Sequence, residues 1–222
     1  MSIVIRILSE EEQLRLAVEQ GQIPRYLYKY CAVDNALKTL SNHSIWFSTF
    51  DRFNDPFDCA MQVRQRYTKQ DWEQYLNSQG VGLEIRDKII ANVMAHPDDG
   101  IKIIKESLED VKKTIGIFCM SDRYDNLLLW ANYADQHRGV CLEFDVLADP
   151  LSFYIPRKVS YDNSFPVVDF LHDQDGAVNA LSHKSKDWEI EGEYRVVKHG
   201  LTGLKEIKPE ALTKIILGLR CS

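Results

Sequence analysis

The chain has 222 residues, of which 45% are hydrophobic and 27% charged, and its formal net charge is −6. This composition is typical of folded globular proteins and excludes wholesale disorder, and the apolar runs are much shorter than the roughly 18 residues of a membrane span. The acidic balance excludes a broadly basic nucleic-acid-binding surface, although nucleic acid bound in a local basic groove stays open.

The first part of the chain predicts two helices and two strands. A capping-box pattern at Ser9 begins the helix. Residues 26–30 predict a strand, a short helix begins at Asp34, and residues 45–48 predict a second strand. A polar, aromatic loop over residues 49–58 follows.

Residues 68–113 predict a helical insert. Apolar residues recur at helical spacing on both sides of Pro97, and residues 98–100 (Asp-Asp-Gly) predict a turn between two helices. Amphipathic helices usually pack over a core that is built elsewhere. We therefore expect this segment to be an addition to the main fold.

The second half alternates between strands and helices without a regular rhythm. Such an order favours a single α+β domain over 1–222, with a central mixed or antiparallel sheet, rather than a doubly wound sheet. The predicted strands cover residues 114–120, 139–144, 157–161, 188–198 and 212–217, and the predicted helices cover residues 125–136 and 167–184.

The five cysteines are widely spaced, their number is odd, and none forms a Cys-x-x-Cys pair. This spacing favours buried reduced thiols over a disulfide framework or a zinc site, so we expect no structural metal. Reduced thiols and the lack of a secretory pattern predict a cytoplasmic protein without membrane contact. The cysteines are Cys31, Cys59, Cys119, Cys141 and Cys221.

The first candidate cluster comes from the two early strands and the loop after them. Strand alternation places Tyr28 and Lys29 on opposite faces, and Ser48 lies where a strand meets a loop, a common position for functional side chains. Asn54 and Asp55 precede a proline and favour a turn. The alternative is a buried aromatic strand pair with a structural turn.

The second cluster lies in the helix predicted over residues 125–136. Asn126, Trp130, Tyr133 and His137 are spaced i, i+4, i+7 and i+11, so they are expected to share one helical face. Rings with polar tips suit a planar ligand, because the rings stack and the tips hydrogen-bond. The alternative is ordinary amphipathic packing, with His137 near the helix end.

The third cluster is acidic. A period of two over residues 188–198 places Glu189, Glu191, Glu193 and Arg195 on one strand face. Three carboxylates repel, so they require a cation, a ligand or water beside them. Such a group can act as acid and base or stabilise a developing cation. The alternative is a solvated face of an antiparallel strand.

A metal-dependent nuclease is a further hypothesis. Asp55 and Asp58, with the later Glu193, would hold Mg²⁺, and a nearby cation would assist attack by water. Arg195 occupies the position where a lysine is expected, and the spacing is unspecific.

Several segments occur together in a fixed order along nearly the whole chain: 27–30, 45–48, 53–58, 128–139, Trp188 and 193–195. This set resembles the bacterial family called domain of unknown function 2971. The resemblance rests mainly on Asn-Asp-Pro-Phe-Asp at 54–58 and on Trp-x-x-Tyr-Ala-x-x-His-x-Gly at 130–139. It implies a role in a phage-defence or toxin-type system. Chains of this family usually continue beyond residues 215–218, which is compatible with a C-terminal truncation here.

The order of residues also resembles the ADP-ribosyltransferase fold. Those proteins begin with a strand that carries a polar or basic residue, continue with a strand that ends in Ser or Thr, and carry the main Glu on a late strand. Lys29, Ser48 and Glu193 occur in that order. The usual first residue, Arg or His, is replaced here by Lys29 or Tyr30.

This second resemblance implies an enzyme that uses NAD and a small-molecule or protein acceptor, with no fixed metal. It implies catalytic roles for Glu193, Ser48 and His137. The residues that it implies for NAD binding are Tyr28, Lys29, Asn54, Asp55, Trp130, Tyr133, Glu191 and Arg195. The alternatives are the metal-dependent nuclease and a non-catalytic module that binds a ligand or a protein partner.

Overall fold

Helices and strands alternate irregularly in the computed structural model, which describes residues 8–173 and 175–221. The helices are α1 (Glu10–Glu19), α2 (Val33–Asn42), α3 (Lys69–Ser78), α4 (Leu83–Ala95), α5 (Pro97–Thr114), α6 (Leu127–Tyr133), α7 (Pro150–Phe153) and α8 (Gly176–Ala180). The strands are β1 (Tyr26–Cys31), β2 (Ser44–Phe47), β3 (Gln62–Val63), β4 (Ile115–Ser121), β5 (Val140–Asp145), β6 (Arg157–Lys158), β7 (Ser160–Asp162), β8 (Val167–Val168), β9 (His183–Ser185), β10 (Glu193–His199), β11 (Gly203–Glu206) and β12 (Leu212–Leu217). Short 3₁₀ helices cover Phe50–Arg52, Lys186–Glu191 and Pro209–Ala211.

Six strands form the central sheet in the order β12-β5-β1-β4-β10-β6, and each neighbouring pair is antiparallel. The predicted α+β fold with a central antiparallel sheet is therefore confirmed. Ser121 of β4 lies opposite Tyr28 of β1 on one side and opposite Glu193 of β10 on the other. Directly opposed residues project from the same face, so these three side chains lie on one side of the sheet.

Strand alternation gives the sheet an apolar face and a polar face. On β4 and β10, Phe118, Tyr194 and Val196 are buried in the main hydrophobic core, together with residues of α1, α2 and α7. The residues that alternate with them along the strands, such as Glu193 and Arg195, project to the opposite side. A period of two therefore places charged groups directly behind the core.

The helical insert has a hydrophobic core of its own. Trp72 of α3, Ile90 and Val93 of α4 and Ile104 of α5 pack together with Val168 of β8. Thr68 caps α3, because its side chain accepts a hydrogen bond from the Asp71 backbone and the Asp71 side chain accepts one from Thr68. The segment predicted over residues 68–113 is thus helical.

The helix predicted over residues 167–184 is wrong, because this segment contains β8, α8 and β9. Short polar side chains offer the backbone local hydrogen bonds that compete with a helix. Here the backbone N–H of Asp175 donates to Asp173 Oδ1 at 3.1 Å. The segment is therefore broken into short elements.

Two further boundaries differ from prediction. The strand expected over residues 188–198 begins only at Glu193, because the preceding residues form a 3₁₀ helix that ends at Glu191 and is capped by Gly192 with φ = 53°. The turn expected at residues 98–100 is helical, since Pro97 occupies the first turn of α5, a position where its missing N–H costs nothing.

All five cysteines are free thiols. Within the described part of the chain, no helix is both long enough and apolar enough to cross a membrane.

Candidate functional site

A cavity of about 390 Å³ opens on the polar face of the central sheet. Its walls come from β1, β4, β10, α6 and the loop 49–58. This volume falls within the range of small-molecule sites, about 300–1,000 Å³. The predicted site residues that line it are Tyr28, Lys29, Ser48, Asn54, Asp58, Tyr133, Glu191 and Glu193.

The cavity begins where β1 and β4 separate. The two strands share a single ladder pair, Tyr28 with Ser121. Lys29 projects from the apolar face, where its Nζ lies 5.3 Å from the centre of the Phe118 ring, and the same Nζ donates to the Cys119 carbonyl at 2.9 Å. The lysine thus reaches the cavity through the gap between the strands.

Arg195 holds two carboxylates on the cavity side of β10. Its Nε donates to Glu193 Oε1 at 2.8 Å, and its two terminal nitrogens lie 2.8 Å from the two oxygens of Asp58. Arg195 is fully buried, and it also donates to the Leu181 carbonyl at 2.7 Å. A planar guanidinium suits such paired contacts better than a lysine would.

Lys184 of β9 is the second buried cation, and it contacts all three carboxylates. Its Nζ lies 2.6 Å from Glu191 Oε2, 3.3 Å from Glu193 Oε2 and 3.6 Å from Asp58 Oδ2. The same Nζ lies 4.7 Å from the centre of the Trp188 ring. Lys184 therefore closes the group that we call the acid cluster: Asp58, Lys184, Glu191, Glu193 and Arg195.

The acid cluster carries more negative than positive charge, since three carboxylates face two cations. Burial alone raises the pKa of Glu193, but Arg195 and Lys184 outweigh burial and lower this pKa to about 2. The same carboxylates raise the pKa of Lys184 above its usual value despite burial. Glu193 is thus an anion at neutral pH, at the base of the cavity.

Tyr133 of α6 connects the acid cluster to the loop 49–58. Its hydroxyl donates to Glu191 Oε1 at 2.7 Å and accepts from the Asn54 side chain at 3.1 Å. Burial is the largest of the factors that raise the pKa of Tyr133. The neutral phenol is therefore a hydrogen-bond donor held beside the Glu191 carboxylate. This contact agrees with the predicted role of an aromatic ring whose polar tip forms a hydrogen bond.

The predicted helical face is only partly correct. Helix α6 ends at Tyr133, and Asp135, Gln136 and His137 have positive φ angles of 45°, 55° and 70°. His137 therefore does not continue the face, and it lies outside the cavity lining. Its ring stacks on Trp130 with the ring centres 6.4 Å apart.

Trp130, Asp55 and Arg195 also lie outside the cavity lining. Trp130 is buried edge-on against Tyr30, and its Nε1 donates to the Tyr124 carbonyl at 2.9 Å. Asp55 is buried, and its Oδ1 accepts from the Phe57 backbone at 2.9 Å. These contacts match the packing and turn alternatives, whereas Arg195 acts from behind Glu193 and Asp58.

The solvated strand face proposed as the alternative for the acidic cluster is wrong. Glu191, Glu193 and Arg195 are buried, and Glu189 alone of the four predicted residues is exposed. Glu189 and Glu191 belong to the 3₁₀ helix rather than to the strand. Glu191 and Glu193 therefore come from two different elements.

Sequence analysis missed Lys184 and Arg52, both of which line the cavity. One signal did point to Lys184: three neighbouring carboxylates require more positive charge than Arg195 alone supplies. No comparable signal marked Arg52, because an arginine in a polar loop is usually exposed and unremarkable.

Among the described residues, no group of three or more His, Cys, Asp or Glu side chains is arranged to hold a metal ion. Asp58 and Glu193, which the nuclease hypothesis requires, already bind Arg195 and Lys184. Comparisons of the chain with family models, with curated proteins and with solved structures give no match. The chemistry of the cavity is therefore the basis for inferring function.

Proposed function

We propose that this protein is an ADP-ribosyltransferase-like enzyme that cleaves the bond between nicotinamide and ribose in NAD. One observation carries the proposal: Lys29, Ser48 and Glu193, which come from β1, the end of β2 and β10, line one cavity. The acceptor of the ADP-ribose is water, a small molecule or a protein, and a defence or toxin-type role fits such an activity.

The reaction requires negative charge at one point. As the carbon–nitrogen bond breaks, its electron pair leaves with nicotinamide, which becomes neutral, and positive charge develops on the ribose. The acceptor then donates an electron pair to the ribose carbon and loses a proton. A fixed carboxylate beside the ribose stabilises the developing charge, and the ionised Glu193 supplies it.

Other residues of the cavity bind and orient the substrate in this proposal. Tyr28 and Tyr133 offer rings to the flat nicotinamide, since aromatic rings attract one another when they stack or meet edge-on. The Ser48 backbone pairs with Ile117, and its hydroxyl makes no hydrogen bond within the described residues. That hydroxyl is available to the substrate.

Ligand-dependent thermal unfolding tests the binding step. A ligand at about 100 times its Kd adds about 2.7 kcal/mol to the free energy of unfolding, which raises the Tm of a chain of this size by about 5–10 °C. We expect NAD to raise the Tm of the wild type and Ser48→Ala to reduce that shift. Ser41→Ala, which changes an exposed serine on α2, is the matched control.

Three outcomes separate the hypotheses. A shift with NAD that Ser48→Ala reduces supports the proposal. A shift with Mg²⁺ and none with NAD contradicts it and favours the metal-dependent nuclease. No shift with either ligand also contradicts it and favours a non-catalytic binding module.

A further inference from the structure

Two cations of the cavity have no carboxylate partner. Lys29 and Arg52 line the cavity, and within the described residues neither forms an ion pair. Every carboxylate of the acid cluster, by contrast, binds Lys184 or Arg195. The cavity therefore has two positive charges that no carboxylate among the described residues neutralises.

Trp46 fixes the position of Arg52. Residues 45 and 47 of β2 are buried, whereas Trp46 points outward with 48% of its surface exposed. The Arg52 guanidinium lies over the Trp46 ring, 5.7 Å from its centre. A cation over an indole face is held by electrostatic attraction, and its in-plane N–H groups stay free for another partner.

A second arginine–aromatic pair of the same chain provides a contrast. Arg25 lies over the Tyr26 ring at 5.4 Å, but its Nε and Nη2 donate to Asp145 at 3.1 and 2.9 Å. The Arg25 guanidinium is thus already paired with the Asp145 carboxylate, and Arg25 lies outside the cavity lining. Arg52 has the same aromatic support without the carboxylate.

The cavity thus presents charges of both signs. The carboxylates Asp58, Glu191 and Glu193 of the acid cluster line it, and so do Arg52 on the loop 49–58 and Lys29 in the gap between β1 and β4. A ligand with a positive ring and a negative group matches these two kinds of charge. Arginine favours phosphate in particular, because its planar fork donates two parallel hydrogen bonds.

We propose that Arg52, supported by Trp46, binds a phosphate group of the substrate, with Lys29 as the second cation. This inference rests on the proposed function and makes it more specific. The substrate class is a nucleotide that carries a phosphate next to the nicotinamide-bearing ribose, and the corresponding nucleoside is a poor ligand. Arg52 contacts substrate, whereas Trp46 is a positioning residue.

Calorimetric titration with three probes tests this inference: nicotinamide mononucleotide, nicotinamide riboside, which lacks the phosphate, and inorganic phosphate. We expect the wild type to bind the mononucleotide about 10–100-fold more tightly than the riboside, the usual effect of hydrogen bonds to a charged group. Arg52→Ala removes this advantage and leaves riboside binding unchanged. Arg52→Lys retains part of it.

Trp46→Ala is expected to reduce the advantage of the mononucleotide by a smaller factor. Tyr26→Ala, which disrupts the matched pair outside the cavity, leaves it unchanged. Inorganic phosphate is expected to bind saturably and to remove the difference in affinity between mononucleotide and riboside. This result supports the phosphate site, because inorganic phosphate and the mononucleotide then compete for Arg52.

Two results overturn the inference in different ways. Equal affinity of the wild type for mononucleotide and riboside, or equal weakening of both by Arg52→Ala, overturns the phosphate site and leaves the proposed function standing. Failure of both nicotinamide ligands and of NAD to bind overturns the proposed function and the phosphate site together.

Discussion

Arg195 holds the acid cluster together, because its fully buried guanidinium binds Asp58 and Glu193. Removal of one partner from a buried ion pair leaves an uncompensated charge and costs about 3–5 kcal/mol. We therefore expect Arg195→Met to lower the free energy of unfolding by about that amount in urea titrations.

An exposed pair provides the control for this prediction. Arg138 binds Asp135 at 2.8 Å on the surface, where ion pairs contribute little. Arg138→Met is expected to leave the free energy of unfolding nearly unchanged. An Arg195→Met variant as stable as the wild type would contradict the account of the acid cluster.

At the scale of single residues, the sequence predicted what local spacing determines. The carboxylates Glu191 and Glu193 were identified because they lie close together in the chain. Lys184 was missed because its role depends on the parallel pairing of β9 with β7, which brings it beside them. A buried charge requires a partner of opposite charge, but only the fold determines which residue is that partner.

At the scale of elements, His172 connects the start of the insert to the segment after β8. Its Nδ1 lies 2.9 Å from Asp169 and its Nε2 3.2 Å from Asp71, which caps α3. The hydrogen bond to Asp169 raises the pKa of His172 above its usual 6.5, and the negative charges of Asp169 and Asp71 add to that rise, against the opposing charge of Arg64. The protonated ring therefore stabilises the folded state.

The sign of the pH dependence follows from that raised pKa. The stabilisation is fully present below pH 6.5, the unfolded pKa, and it is lost as the pH rises through the higher folded pKa. We expect thermal unfolding of the wild type to lose more stability between pH 6 and pH 8.5 than that of His172→Gln. Parallel Tm profiles for the two proteins would contradict this role of His172.

Elements with a strong local signal were predicted well. The capping box at Ser9 places α1, and the strands predicted over residues 26–30 and 114–120 correspond to β1 and β4. The boundary errors occur where backbone conformation departs from regular structure. After α6, three successive residues at 135–137 have positive φ, so the helical conformation does not continue there. No side-chain pattern in the sequence predicts these positive φ angles.

At the scale of the whole molecule, the main hydrophobic core and the core of the insert have different structural roles. The main core supports the central sheet from one face, and the acid cluster and cavity occupy the other. The core of the insert contributes no residue to the cavity lining. Changes in the insert are therefore expected to affect stability without altering the chemistry of the cavity.

The net charge of −6 is likewise unevenly distributed. Part of the acidic excess is buried in the acid cluster at the base of the cavity, and the unpaired cations Lys29 and Arg52 line its walls. Composition alone excluded a broadly basic surface, but it gave no indication that charges of both signs line one cavity. This arrangement arises when the fold brings residues 29, 52 and 193 to one site.

The release of nicotinamide from NAD, measured by chromatography, tests the central claim most directly. The variants are Glu193→Gln, the exposed control Glu189→Gln, and Ile104→Ala, which destabilises the insert core by about 2–5 kcal/mol and so controls for lost stability. The account predicts release by the wild type, by Glu189→Gln and by folded Ile104→Ala, and a loss of about 10²–10³-fold in Glu193→Gln. No release by the wild type, or equal release by Glu193→Gln, would contradict it.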